Sequence, residues 1–177
     1  MEKLTQERLK EVLLYDFETG IFVRRINVSN IKSGAIAGSK LKTGYMEVGI
    51  DNVSYLQHRL AWLYVHGYFP ENQIDHIDRV RDNNRLGNLR EVSRSCNSMN
   101  SYKRSDNTSG IKGVCWDKGA GLWKSRISLN GLSIYVGRHR CFTEAVAHRL
   151  CAEQFCGYTN CDKYSTAFEY MRKYISK

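Results

Sequence analysis

The chain has one proline in 177 residues, and none of its six cysteines forms a Cys-x2-Cys pair. Without that spacing the usual zinc-knuckle framework is excluded. Cys151, Cys156 and Cys161 recur every five residues, a spacing a loose metal cluster could use, but free thiols in a reducing compartment are the expectation. Long apolar runs are also missing. No segment approaches the ~18 consecutive apolar residues of a membrane-spanning helix, and Met1 to Lys10 does not follow the basic-then-apolar layout of a secretion signal. An intracellular protein with no membrane partner is expected. Disorder is excluded by what is abundant, since 42% of residues are apolar and eleven Tyr, six Phe and three Trp supply buriable surface. At roughly 150 residues per domain, the length fits one domain or two small ones.

Acidic residues are scarce in the second half. The net charge of +9 arises from 27 Lys and Arg against 18 Asp and Glu, but residues 1–100 carry 14 basic and 12 acidic side chains, whereas 101–177 carry 13 and 6. The second half is therefore the stronger candidate to bind a polyanion, because clustered Lys and Arg release counterions from phosphates.

Hydrophobic periodicity and turn residues give a mixed α+β reading. A helix is predicted from Leu4-Thr5 to near Asp16, with Thr5 as N-cap and Leu4 and Leu9 as a hydrophobic staple. Asp16 to Gly20 reads as a turn before strand Ile21–Arg24. Tyr45–Ile50 and Val53–Leu56 read as strands joined at Asp51-Asn52, and His58–His66 as a helix stopped by Gly67. Ser93 is the expected N-cap of a short helix carrying Cys96, Asn97 and Asn100, and Ser101–Ser109 reads as a linker. Strands are predicted at Ile111–Trp116, Leu122–Leu129 and Ser133–Gly137, with Asn130-Gly131 as a hairpin turn. Period two puts Trp123, Ser125, Ile127 and Leu129 on one face and Lys124, Arg126 and Ser128 on the other. Thr143 is expected to cap a helix with Val146, Leu150 and Cys151 facing inward, and Tyr164–Ile175 to form a last helix using Phe168 and Met171.

The chemically informative constellation is Asp75-His76, followed by Asn88 and Asn97. Hydrolysing a phosphodiester needs an activated water, neutralisation of charge in the transition state, and help for the leaving oxygen. A His can take the water's proton while Asp and Asn oxygens hold a divalent cation. All-oxygen ligation favours Mg²⁺ or Mn²⁺ over Zn²⁺.

Asp75-His76-Ile77-Asp78, Asp82-Asn83-Asn84-Arg85, Asn88-Leu89-Arg90 and Asn97-Ser98-Met99-Asn100 resemble, in order, the D-H-x-D, N-N-R, N-L-R and N-x-x-N blocks of the HNH endonuclease family. Upstream, His58-Arg59-Leu60-Ala61 resembles the H-R-L-A block of phage and intron-encoded members. The resemblance implies a ββα-metal core with His76 as general base, Asp75 and Asn97 as metal ligands, and Asn88 as the residue that braces the hairpin and orients the His loop. Asn97 stands where many relatives have a final His, which makes this an H-N-N variant. Asn83, Asn84 and Asn100 are expected to be structural hydrogen-bonders. Tyr15-Asp16 and Glu18-Thr19-Gly20 resemble the part often found ahead of such cores.

Ser109–Val114, Trp123, Tyr135-Val136-Gly137 and Phe142–Ala145 resemble the AP2-type DNA-binding domain, a three-stranded antiparallel sheet with one packed helix. In this resemblance Lys112 stands at a family arginine and Tyr135 at a family tryptophan, while Cys115, Ser128 and Ser133 replace DNA-contacting arginines. Lys118, Lys124, Arg126 and Arg138 are expected to restore phosphate contacts, with Arg59 a further DNA contact. The implied organisation is residues 1–100 as nuclease domain (1–57 an α/β extension, 58–100 the core), 101–109 as linker and 110–177 as the AP2-like domain with a C-terminal helix. The expected activity is metal-dependent cleavage of double-stranded DNA by a monomer of homing or freestanding phage type, with no protein partner. The alternative is a sequence-specific DNA-binding regulator without catalysis.

Overall fold

The structure is a computed structural model, and it describes residues 4–101, 103, 105–158, 161 and 165–175. The chain is a mixed α/β protein with several small sheets, and it divides into two compact units, Met1–Val92 and Ser93–Lys177.

The first unit opens with α1, Gln6–Val12, whose N-cap Thr5 accepts a hydrogen bond from the Arg8 N–H. The helix stops four residues before the expected end because Leu13–Asp16 is strand β1, paired in a hairpin with β2, Ile21–Arg24. Tyr15 lies opposite Phe22 with stacked rings 4.6 Å apart, and Asp16 Oδ1 accepts from the Glu18 and Thr19 N–H groups in the turn. Cross-strand aromatic packing and the Asx turn outweigh the helical periodicity of this short stretch. A three-stranded sheet follows, with β3 (Ser39–Lys40), β4 (Met46–Ile50) and β5 (Val53–Leu56) in that order. Asp51 and Asn52 both take positive φ between β4 and β5, as a tight hairpin requires. Helix α2, Gln57–His66, ends at Gly67 in the left-handed conformation. Strands β6 (Gln73–His76) and β7 (Leu89–Val92) then form an antiparallel pair. Leu9, Leu13, Phe22, Val48 and Leu60 centre the core, each contributing about 1.5–3 kcal/mol when fully buried.

The second unit begins with α3, Arg94–Met99, capped by Ser93, whose side chain accepts from the Cys96 N–H. Strands β8 (Val114–Asp117), β9 (Leu122–Leu129) and β10 (Leu132–His139) form an antiparallel sheet in the order β10-β9-β8. Strand β8 starts later than expected, because Gly110 and Gly113 take positive φ and keep residues 110–113 out of the ladder. Asn130 and Gly131, both at positive φ, close the β9–β10 hairpin. Helices α4 (Phe142–Phe155) and α5 (Thr166–Ile175) complete the unit. Ser125 and Ile127 are buried, and Trp123 packs on Phe142 with ring centroids 4.6 Å apart, as the strand parity requires.

Several expectations are corrected here. Cys141, not Thr143, occupies the N-cap of α4, and it makes no side-chain capping bond. The buried stripe of α4 is Ala145, Val146, Arg149 and Glu153, which leaves Cys151 exposed. On α5 the inward side is Ala167, Tyr170 and Met171, so Phe168, one position off that stripe, is half exposed. The helix begins at Thr166, and Tyr164 lies outside the described residues, as do Tyr102 and Arg104 of the linker. Not all thiols are free: Cys96 and Cys161 form a disulfide, while Cys115, Cys141, Cys151 and Cys156 remain thiols. That bond places α3 with the second unit, eight residues ahead of the expected linker. Met99, which clusters with Ile127 and Tyr158, strengthens the same attachment.

Candidate active site

Strand β6 carries the two central side chains. Its antiparallel register sets Asp75 opposite Arg90 and His76 opposite Leu89. Asp75 and His76 are 6% and 4% exposed, so both polar groups depend on protein partners. Arg90 supplies one for Asp75, donating from Nε at 3.0 Å and Nη2 at 2.8 Å to the same oxygen, Oδ2. For His76 the partner is Asn84, whose Oδ1 lies 3.0 Å from Nε2. With the amide in this orientation Nε2 carries the proton and Nδ1 is the basic nitrogen. Asn84 is itself 1% exposed, and its Nδ2 has no partner among the described residues.

The segment between β6 and β7 is held by Asn88 and Asp78. Asn88 Nδ2 donates to Asp78 Oδ1 at 2.9 Å and to the Asn83 carbonyl at 2.8 Å, and its Oδ1 accepts from the Asp78 N–H at 3.0 Å. Asp78 Oδ1 also accepts from the Val80 N–H, and Oδ2 from Asn83 Nδ2. Burial favours the neutral form of Asp78, but these hydrogen bonds together outweigh it and hold the carboxyl below its usual range. The Asn88 amide thus clasps the loop that follows His76.

The N-terminal hairpin anchors the other side of this loop. Tyr15 Oη donates to the Asn84 carbonyl at 2.7 Å, and the Leu86 N–H donates to the Phe17 carbonyl. Gly20, at φ +77°, approaches so closely that a Cβ there would lie 2.5 Å from Arg85 N and Asn84 C. Within the N-terminal extension, for which the sequence offers no motif-level role beyond completing the fold and widening the DNA contact, the Tyr15–Gly20 hairpin therefore fixes the backbone of the residue that touches His76.

Aromatic groups surround the imidazole. The His58 ring stands edge-on to His76 at 5.2 Å, and the Tyr45 ring lies 5.2 Å from His58 and 5.9 Å from His76. Arg81 covers Tyr45 at 5.0 Å. Burial, reinforced by the charges of His76 and Arg59, depresses His58 to about 3, so it is neutral at physiological pH. Its Nδ1 is buried with no partner among the described residues.

The structure thus brings together Asp75, His76 and Asn88. Asn97 lies on α3 in the second unit. Arg59 is half-buried and donates to the Pro70 carbonyl at 3.2 Å. In the second unit, Arg126 and Tyr135 are paired in register on the open side of the sheet. Lys124 and Arg138 are paired likewise, with Arg138 also bonded to Asp117 at 2.9 Å. Lys118 is exposed in the β8–β9 turn, whereas Lys112 Nζ donates to the Met99 and Ser101 carbonyls. Sequence reading missed Arg90, His58 and Tyr45 as neighbours of the site. Arg90 was recoverable in principle, since a hairpin register that pairs His76 with Leu89 must also pair Asp75 with Arg90.

Among the described residues no three His, Cys, Asp or Glu side chains converge as a metal-binding group. A cation at Asp75 would rest on one carboxylate, completed by its own waters and a phosphate. That donor chemistry fits a hard Mg²⁺-type ion, which is commonly bound through one or two carboxylates plus substrate phosphate.

Residues 55–99 match the family model described as HNH endonuclease. The chain is 36% identical over 76 residues to Protein 3.8 of Escherichia phage T7, a match covering 42% of this chain and 63% of that protein. A solved structure described as DNA binding and cleavage by the HNH homing endonuclease I-HmuI aligns with a TM-score of 0.43 and 21% identity, over 89% of this chain and 84% of that one. That likeness is too loose to place any residue. The matched segment contains α2, the β6–β7 pair and α3, and hence His58, Asp75, His76, Asn84, Asn88, Arg90 and Asn97. No helix among the described residues is long and apolar enough to cross a membrane.

Proposed function

We propose that this chain is a metal-dependent DNA endonuclease of homing or freestanding phage type. In this reading the HNH segment hydrolyses phosphodiester bonds, and the AP2-like sheet of the second unit aids site selection. The observation that carries it is the Asp75–His76 pair, two adjacent ionisable groups almost removed from water, each already held by its own partner. A pair made only for stability would be an expensive use of buried polarity; a general base needs just such a fixed ring.

His76 Nδ1 accepts the proton of the attacking water, while Asn84 Oδ1 holds the opposite N–H and fixes the tautomer. Asn88 keeps the loop after His76 in place through Asp78. Arg90 keeps the Asp75 carboxylate aligned. Asp75 and, on the family resemblance, Asn97 would hold a Mg²⁺ or Mn²⁺ ion. When bound, that ion supplies positive charge against the phosphate and the leaving 3′-oxygen. Lys118, Lys124, Arg126, Tyr135 and Arg138 are assigned to DNA contact, and the similarity to a T7 protein supports a phage origin.

Supercoiled plasmid incubated with the protein and Mg²⁺, Mn²⁺ or EDTA tests this reading. Relaxed or linear product is expected with either metal and none with EDTA. Tight binding without product in any metal, on plasmid and on host genomic DNA, would establish the non-catalytic regulator instead.

A further inference from the structure

The second unit contains a cleft that the proposed chemistry does not use. One wall is α3, with Arg94, Ser95 and Ser98, and the other is the β9–β10 hairpin, with Ser128, Asn130 and Gly131, enclosing about 580 Å³. A second hollow of about 320 Å³ shares Ser98, Met99, Ser128 and Tyr158 with it and adds Arg126 and Ser133. No acidic side chain lines either hollow among the described residues. Arg94 and Arg126 are exposed, and neither guanidinium has an ion-pair partner among the described residues. Arg138, by contrast, is already paired with Asp117.

The walls are fixed before any ligand arrives. Strand β9 outruns β8, whose register ends at Val114 opposite Ser125, so the farther half of β9 lacks a strand partner on that edge. Side chains take over its exposed carbonyls: Arg149 Nη1 donates to Arg126 O at 2.5 Å, and Tyr158 Oη donates to Ser128 O. Arg149 is in turn held by a buried ion pair to Glu153 at 2.8 Å. The opposite wall is held by the Cys96–Cys161 disulfide and by the two bonds from Lys112 Nζ to the Met99 and Ser101 carbonyls. Lys112 therefore builds the cleft rather than contacting a ligand from it.

The guanidiniums of Arg94 and Arg126, five serine hydroxyls and one amide, with no carboxylate among the described residues, match the donors that bind phosphate oxygens of a nucleic-acid backbone. The other long polar groups of the lining, Tyr158, Lys112 and Arg149, are engaged with backbone carbonyls, so the cleft is suited to holding a backbone rather than reading base edges. We propose that the cleft between α3 and the β9–β10 hairpin seats the phosphate backbone of duplex DNA through Arg94 and Arg126. This deepens the endonuclease reading and rests on it, with α3, the helix that bears Asn97, as one wall of the DNA seat.

The test is a salt series of fluorescence-anisotropy titrations with the full chain, a short DNA duplex and EDTA to prevent cutting. Arg94→Ala/Arg126→Ala should flatten the slope of log K against log[salt] by about 1 per guanidinium. Affinity should fall roughly eightfold per contact at about 0.1 M salt. Lys32→Ala, which removes an exposed charge in the first unit, should leave the slope unchanged. Matching thermal melts establish that each variant is folded. A double variant with the wild-type slope, or a Lys32→Ala variant with the same loss as the cleft variants, would overturn the cleft while leaving the endonuclease reading intact. If the slope loss appears on an RNA duplex and not on DNA, the assignment to DNA is overturned. Wild-type protein with no salt-dependent DNA affinity would overturn both readings.

Discussion

His58 shows how one residue couples the site to stability. Its imidazole is buried beside His76, Tyr45 and Arg59 and depressed to about 3, whereas an unfolded histidine titrates near 6.5. Unfolding must therefore take up a proton between these two values. The contribution of neutral His58 is complete above about pH 6.5 and is lost progressively as pH falls toward about 3, at up to about 1.4 kcal/mol per unit. His58→Phe should keep the ring packing and remove this dependence. Between pH 7 and 4.5, urea unfolding should show the variant losing about 2–3 kcal/mol less stability than wild type; equal losses would mean that His58 is not the buried neutral group described. The same scale explains what the sequence hid. Asn84 reads as one structural asparagine among several, and its contact with His76 depends on the Tyr15 hydroxyl holding its carbonyl from 69 residues away.

At the scale of elements, local signals were legible and distant ones were not. Thr5 and Ser93 cap their helices, and Asp51-Asn52 and Asn130-Gly131 turn their hairpins, because each needs only neighbouring residues. Strand β1 was misread as the end of the first helix, since its pairing with β2 rests on the Tyr15–Phe22 stacking and on docking of Gly20 onto residues 84–85. Helix α3 is capped at Ser93 as expected, and its disulfide to Cys161 joins it to the second unit. Six residues are too few for independent helical stability, and the bond from Cys96 to Cys161, 65 residues away, has no local signature. Closing so long a loop stabilises by up to about 4 kcal/mol in the chain-entropy treatment. Cys96→Ser, or dithiothreitol added to wild type, should therefore lower the melting temperature, and the reductant should not lower it further in the variant. Identical melting of oxidised and reduced wild type would contradict this role for the disulfide.

Across the whole molecule, charge and chemistry divide. The nearly balanced first hundred residues hold Asp75, His76 and the α3 wall of the cleft, and the basic remainder holds the sheet and the cleft's other wall. The order of the Asp, His and Asn blocks was readable because all of them fall within residues 75–100. The contacts that Tyr15, Tyr45 and His58 make around His76 and Asn84 were not, because they form only through the fold. The central claim is that His76 acts on a phosphodiester bond as the general base. The most direct measurement is single-turnover cleavage of one DNA substrate at saturating protein and metal by wild type and His76→Ala. A fall of about 10²- to 10⁴-fold in rate with unchanged DNA affinity is expected; a variant that cuts within a few-fold of the wild-type rate would contradict it.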